Sequence, residues 1–143
     1  MRVVLDTNVL LSGLISPAGP PSLLIDAWLD RRFILVSHEL QLDELREVSR
    51  RDRIRPLIRA SDAGRLVNQI RLLAEMPADL PPLELSPDPG DDFLLALCDA
   101  AAVDRLVTGD KAGLLVLGRH GRADIVTAAR LAEELGLHES PGA

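Results

Sequence analysis

Short apolar runs alternating with helical stripes predict an α/β fold, a central mostly parallel sheet of about five strands flanked by helices. Three observations carry this expectation. Val3-Val4-Leu5, Phe33-Ile34-Leu35-Val36 and Arg105-Leu106-Val107-Thr108 are short and apolar, as strands buried on both faces are. The segments between them are too long for hairpins and carry helical periodicity. The chain has 143 residues, 47% of them hydrophobic and 27% charged, which suits one globular domain. That domain is expected over residues 1–137, with 138–143 as a flexible tail.

The elements follow in order. Val3-Val4-Leu5 ends in polar Asp6-Thr7-Asn8. After Gly19-Pro20-Pro21, the apolar positions of Ser22 to Leu29 suit a helix with proline in its first turn. Phe33 to Val36 reads as the second strand, and Ser37 stands where an N-cap belongs, ahead of a helix through Leu40, Leu45 and Val48. Pro56 interrupts helical continuity. Ser61 is placed to cap a helix from Asp62 to about Met76, with Leu66, Ile70 and Leu73 on one stripe.

Residues 77–90 contain five prolines and read as a connector with a short strand at Leu83-Glu84-Leu85. A helix opens at Asp91 and runs through Leu94, Leu95 and Cys98. The strand Arg105 to Thr108 ends in Gly109-Asp110. A short helix over Leu114 to Leu117, a strand at Ile125-Val126 and a helix to Leu135 complete the pattern, with Gly136 placed to stop it.

Composition narrows the function classes. No apolar run approaches the length of a membrane span, and the first residues lack a signal-peptide pattern, so a cytoplasmic protein is expected. The single cysteine, Cys98, reads as a small buried hydrophobe. Aromatics are only 2%, which weakens any ladder of stacked bases. The net charge of −6 argues against a uniformly basic nucleic-acid surface. Its distribution is uneven: eight of the sixteen basic residues lie between Arg46 and Arg71, against three acids, Glu47, Asp52 and Asp62. Arg50, Arg51, Arg53, Arg55 and Arg59 are the candidates for RNA contact, with a solvated charged face as the alternative. His38, His120 and His138 carry no ligand pattern, and His120 reads as a loop residue.

In parallel sheets the ligand site lies beyond the carboxyl ends of the strands, where strand order switches. Asp6 and Asp110 are expected at that edge, Glu44 about one turn into the helix after the second strand, and Asp91 at the start of the helix after the connector. Each has a plain structural alternative: a turn residue, a helix-dipole partner or a solvated side chain. Gathered together they would repel, at about 4 kcal/mol for a pair ~4 Å apart in an effective dielectric near 20. A cation offsets this, and an all-oxygen set favours Mg²⁺ or Mn²⁺ over zinc. Such an ion serves phosphodiester hydrolysis.

Four segments carry a resemblance: Val3 to Leu10, Ser37 to Leu45, Asp88 to Ala96 and Leu106 to Lys111. In that order they resemble the PIN domain, and more narrowly the toxin-type PIN proteins of bacterial toxin–antitoxin modules, the VapC-like ribonucleases. The resemblance spans Arg2 to about Leu135. It implies a single PIN-like domain whose four acidic positions, the catalytic and metal-ligating set, fall on Asp6, Glu44, Asp91 and Asp110, supported by Asn8 and Thr108. Asp91 is preferred to Asp92 because the family's third acid precedes an apolar stripe, here Leu94, Leu95 and Cys98. The same counting from Asp92 would place Asp99 on the stripe. Glu44 likewise fits better than Glu39, Asp43 or Glu47. One departure follows Asp110, where Lys111-Ala112-Gly113-Leu114-Leu115 lacks the family's frequent second acid. Lys111 is a phosphate-contact candidate or a plain surface lysine.

The resemblance also implies an RNA substrate, a cognate antitoxin and a homodimer, with no membrane association. Two other readings stand beside it. A phosphohydrolase using Asp6 as a covalent nucleophile would want an acid two positions on, where this chain has Asn8. A binding module with the fold but no activity would not need all four acids.

Overall fold

The computed structural model describes residues 1–81, 89–109 and 113–138, with backbone alone at 89–91. The elements are β1 (Arg2–Leu5), α1 (Thr7–Ile15), α2 (Pro20–Leu29), β2 (Ile34–Leu35), α3 (Glu39–Ser49), α4 (Ala60–Leu73) and α5 (Pro89–Ala100). After them come β3 (Arg105–Val107), α6 (Leu114–Leu117), β4 (Arg119–His120), β5 (Ala123–Val126) and α7 (Ala128–Glu134). A single 3₁₀ turn at Arg55–Leu57 surrounds Pro56, whose missing N–H suits a first-turn position.

The sheet has five strands in the order β2-β1-β3-β5-β4. β1 pairs in parallel with β2 and β3, and β3 with β5, while β4 runs antiparallel to β5. The expected α/β fold with a mostly parallel sheet is therefore present. The chain leaves β1 to one side to make β2, then crosses back to make β3 on the other. The switch in strand order thus lies at β1 and β3, and the crevice it creates opens at their carboxyl ends.

Side-chain alternation on β1 divides the core. Val3 and Leu5 pack with residues of α1, α2, α3, α4 and α7, including Leu10, Leu24, Trp28, Leu45 and Leu66. Val4 faces the other way, among Leu94, Leu95, Leu97, Cys98, Leu106 and Ile125. Both faces of the sheet are covered, which is why its strands read as continuous apolar runs. Cys98 is buried, as expected, and burial pushes its thiol up to about 12.

Several expectations need correction. A helix, α1, begins directly after Asp6, where only a polar strand end was foreseen. Its segment Val9-Leu10-Leu11 is buried, so it shows little periodicity. The cap of α3 is His38, whose Nδ1 accepts from the Leu40 N–H at 3.1 Å. Ser37 is instead drawn inward, its Oγ donating to Gln41 Oε1 at 2.6 Å. Leu40 is 55% exposed; the buried stripe of α3 is Gln41, Leu42, Leu45 and Val48.

Arg59 rather than Ser61 precedes the next helix, which starts at Ala60 and ends at Leu73. Leu73, the last residue of α4, is exposed; the buried stripe is Ala63, Leu66, Val67 and Ile70. The helix expected from Asp91 starts at Pro89, which puts Asp91 within its first turn. His120 lies in β4, not a loop, and its Nε2 is 2.9 Å from Asp99 Oδ2. β4 and β5 form a hairpin through Gly121-Arg122, a connection the spacing of apolar runs did not reveal. The strand expected at 83–85 and the tail beyond 138 lie outside the described residues. At the other end of α7 the expectation holds: Gly136 takes φ +68, and its N–H bonds back to Glu133.

Candidate active site

β1 delivers Asp6 to the crevice, with its N–H bonded to the Val107 carbonyl of the neighbouring strand at 2.9 Å. The same residue caps α1, its Oδ1 accepting from the Asn8 N–H at 3.3 Å. Its other oxygen accepts from Thr108 Oγ1 at 2.8 Å. Thr108 follows β3, is fully buried, and is held by its N–H to the Val126 carbonyl at 3.0 Å. Two adjacent parallel strands thus end in a hydroxyl–carboxylate pair at the switch point.

α3 brings the second acid. Gln41 is fully buried, and its Nε2 donates to the Leu5 carbonyl at 2.6 Å while Oε1 accepts from Ser37. This bond ties α3 to the last residue of β1, immediately before Asp6. Glu44 stands three residues further along the helix, near the same face. Its carboxyl is held above the ordinary range first by loss of solvation, then by repulsion from Asp6, against a hydrogen bond from Thr7 and the positive Arg51. Glu44 therefore lies within electrostatic reach of Asp6.

Other acids are in a different condition. Asp104, at the opposite edge of the sheet, is held below the usual carboxylate range by the Arg2 backbone N–H and by Arg122. Glu39 is gripped by Arg71 through two bonds of 3.0 Å, and Glu47 meets Arg51 at 3.3 Å. Those are acids neutralised by arginine. Glu44 feels Arg51 too, but the repulsion from Asp6 is the larger of the two charge effects on it.

Of the residues expected at the site, Asp6 and Thr108 are hydrogen-bonded, and Glu44 lies within electrostatic reach of Asp6. Asn8 is alongside on the first turn of α1, exposed, with its backbone on Asp6. The Asp91 side chain, Asp110 and Lys111 lie outside the described residues. The stripe used to choose Asp91, Leu94, Leu95 and Cys98, is buried, and Asp99 is exposed. Arg50 caps the end of α3 and Arg53 lies just beyond it, both exposed; Arg51 alone reaches Glu44 electrostatically. Among the described residues no three His, Cys, Asp or Glu side chains gather as a metal cluster.

Thr7 and Gln41 were not foreseen as site residues. Thr7 stands within the Asp6-Thr7-Asn8 motif, and Gln41 is a polar residue on an otherwise apolar helix face, a signal that was there to read. Among the described residues no single helix is long and apolar enough to cross a membrane.

A mostly parallel α/β sheet with a carboxylate held at its switch point defines a class of proteins whose ligand site lies at the carboxyl ends of the strands. Within that class the chain belongs to the PIN domain family, whose profile matches residues 2–112. PIN domains are generally metal-dependent nucleases. No curated protein and no solved structure matches the chain.

Proposed function

We propose that this protein is a divalent-metal-dependent endoribonuclease, acting as the toxin of a toxin–antitoxin pair. The observation that carries the nuclease reading is the Asp6 carboxylate held at the switch point by Thr108, with Glu44 within its electrostatic reach. The toxin role, a cognate antitoxin and a homodimer are supported by the resemblance of the four sequence segments alone.

The donors fit a hard cation. They are carboxylate and hydroxyl oxygens whose mutual repulsion is relieved by positive charge, and the protein's one thiol is buried and protonated on the other side of the sheet. Asp6 and Glu44 would hold Mg²⁺ or Mn²⁺, together with Asp91 and Asp110. When bound, the ion supplies Lewis-acid polarisation of a phosphodiester. The chain itself does the rest. Thr108 and the Asn8 N–H fix the orientation of the Asp6 carboxylate, Gln41 sets the height of Glu44 over β1, and Thr7 holds Glu44 by its hydroxyl. Asn8, standing where a covalent phosphohydrolase would want a second acid, favours a ligand role for Asp6 over a nucleophilic one.

The test is cleavage of single-stranded RNA with Mn²⁺, with and without EDTA. Cleavage by the unmodified chain is expected only with metal. Asp6→Asn should lower it by about 10³-fold, the rate equivalent of several kcal/mol of charge stabilisation. Its circular dichroism spectrum should be unchanged. Cleavage that persists in EDTA defeats the metal mechanism, and an aspartyl-phosphate trapped on Asp6 would favour the covalent reading.

A further inference from the structure

Beside the acids lies a cavity of about 270 Å³ that the mechanism leaves unused. Thr108, the residue bonded to Asp6, forms part of its wall, so the cavity and the acids share a boundary. Asn8 and Ser12, one turn apart on α1, give it a polar edge, while Pro20, Pro21 and Ala128 give it apolar sides. Gly13 lies against α2: a methyl there would press on Ile25 Cδ1, which would have to turn aside, and lie 3.3 Å from the Pro21 carbonyl group, so glycine eases the close approach of α1 and α2.

We propose that this cavity is a subsite for one unstacked base of an RNA strand, next to the phosphate that is cut. The proposal rests on the nuclease reading above. Size is the first argument: drug-sized ligands occupy roughly 300–1,000 Å³, so this space suits a single ring system and not a run of stacked bases. Its chemistry is the second. Apolar walls with a polar rim match a base, which presents flat faces and hydrogen-bonding edges.

The aromatic residues supply the third argument. Trp28 and Phe33 are buried, and Phe93 is partly buried and packs edge-on against His38 at 5.9 Å. The protein has no other Phe or Trp and no Tyr, so a base cannot rely on an exposed aromatic platform. A larger groove of about 1140 Å³ near Arg105 and Glu134 is less suited, because its charges close on one another, as in the Arg105–Glu134 pair at 2.6 Å.

The experiment first maps the cut in a single-stranded RNA with Mn²⁺, then compares that RNA with two versions lacking the base on one or the other side of the cut. With the unmodified chain, removing one of the two bases should lower kcat/KM about tenfold or more, within the range of one base contact. Ala128→Leu, which fills the cavity, should slow the intact RNA to the level of the base-less one and leave the base-less one unaffected. Ser12→Leu, filling it from the opposite wall, should do the same. Indifference of the unmodified chain to both base deletions overturns the subsite while leaving the nuclease intact. Equal slowing of intact and base-less RNA by both variants overturns it too. If no RNA is cut at all, the nuclease reading fails. The subsite is then judged by binding of the same oligonucleotides to the unmodified chain, and equal affinity for them removes it.

Discussion

Glu44 shows how a single residue carries opposite consequences for stability and for ligand binding. Loss of solvation and the nearby Asp6 hold its carboxyl above the ordinary value of 4.5. In the metal-free protein the folded state therefore keeps a proton that the unfolded chain has already released. Stability from this group is complete below about pH 4.5 and is lost as pH rises through the raised folded value. Glu44→Gln should then be more stable than the parent at pH 7 in EDTA, and the gain should vanish in acid. Thermal unfolding across pH checks this, and an advantage for the parent at neutral pH would contradict it. Adding Mn²⁺ should reverse the order, because the ion stabilises the ionised carboxylate that glutamine cannot supply. The place of Asp6 was legible in the sequence, since a buried strand must end where polar residues begin, whereas Glu44, inside α3, was singled out by the family resemblance. Thr7 was not, because nothing in a sequence says which hydroxyl meets which acid.

At the scale of the element, the link between α3 and β1 rests on a buried hydrogen bond from Gln41 to Leu5, with Gln41 held in turn by Ser37, rather than on apolar packing alone. Gln41→Leu would keep the volume but leave the Leu5 carbonyl and the Ser37 hydroxyl without partners. Each orphaned group costs about 1–3 kcal/mol, so a loss of that order should appear in urea unfolding. Adding Ser37→Ala to it should recover part of the loss, because one orphan is removed. A purely additive double variant would show that the two residues do not act as a pair. The same network explains what sequence periodicity missed. With Ser37 turned toward Gln41, capping passes to His38, and the buried stripe moves to Gln41 and Leu42, leaving Leu40 outside. Elements with a clear apolar signature, the stripe of α2 and the short buried run of β3, were legible within a few residues. α1 lacked a polar face to reveal it, and β4 is a two-residue strand that exists only through its partner β5.

The whole molecule is acidic, yet the surface beyond the active-site helix is not. Arg50 and Arg53 are exposed at and beyond the carboxyl end of α3, and Arg51 lies within electrostatic reach of Glu44. The ion pairs nearby, Arg51–Glu47 at 3.3 Å and Arg55–Asp52 at 3.7 Å, are exposed and contribute little, so they do not hold those arginines back from a phosphate. An acidic body with a local basic edge would repel RNA everywhere except where the strand can lead into the crevice. The consequence is measurable with Asp6→Asn, which binds RNA without cutting it on the proposed mechanism. Its affinity for single-stranded RNA should fall linearly with the logarithm of KCl concentration. Each of Arg50→Ala and Arg53→Ala should reduce that slope by about 0.7, the value for one phosphate contact to a single strand. Their effect should be the same for RNAs of different sequence, because a phosphate contact reads no base. Mn²⁺ affinity should not change in either variant. A slope that stays constant would make this basic segment a solvated face, and the path of the strand would then have to be sought along another edge of the crevice.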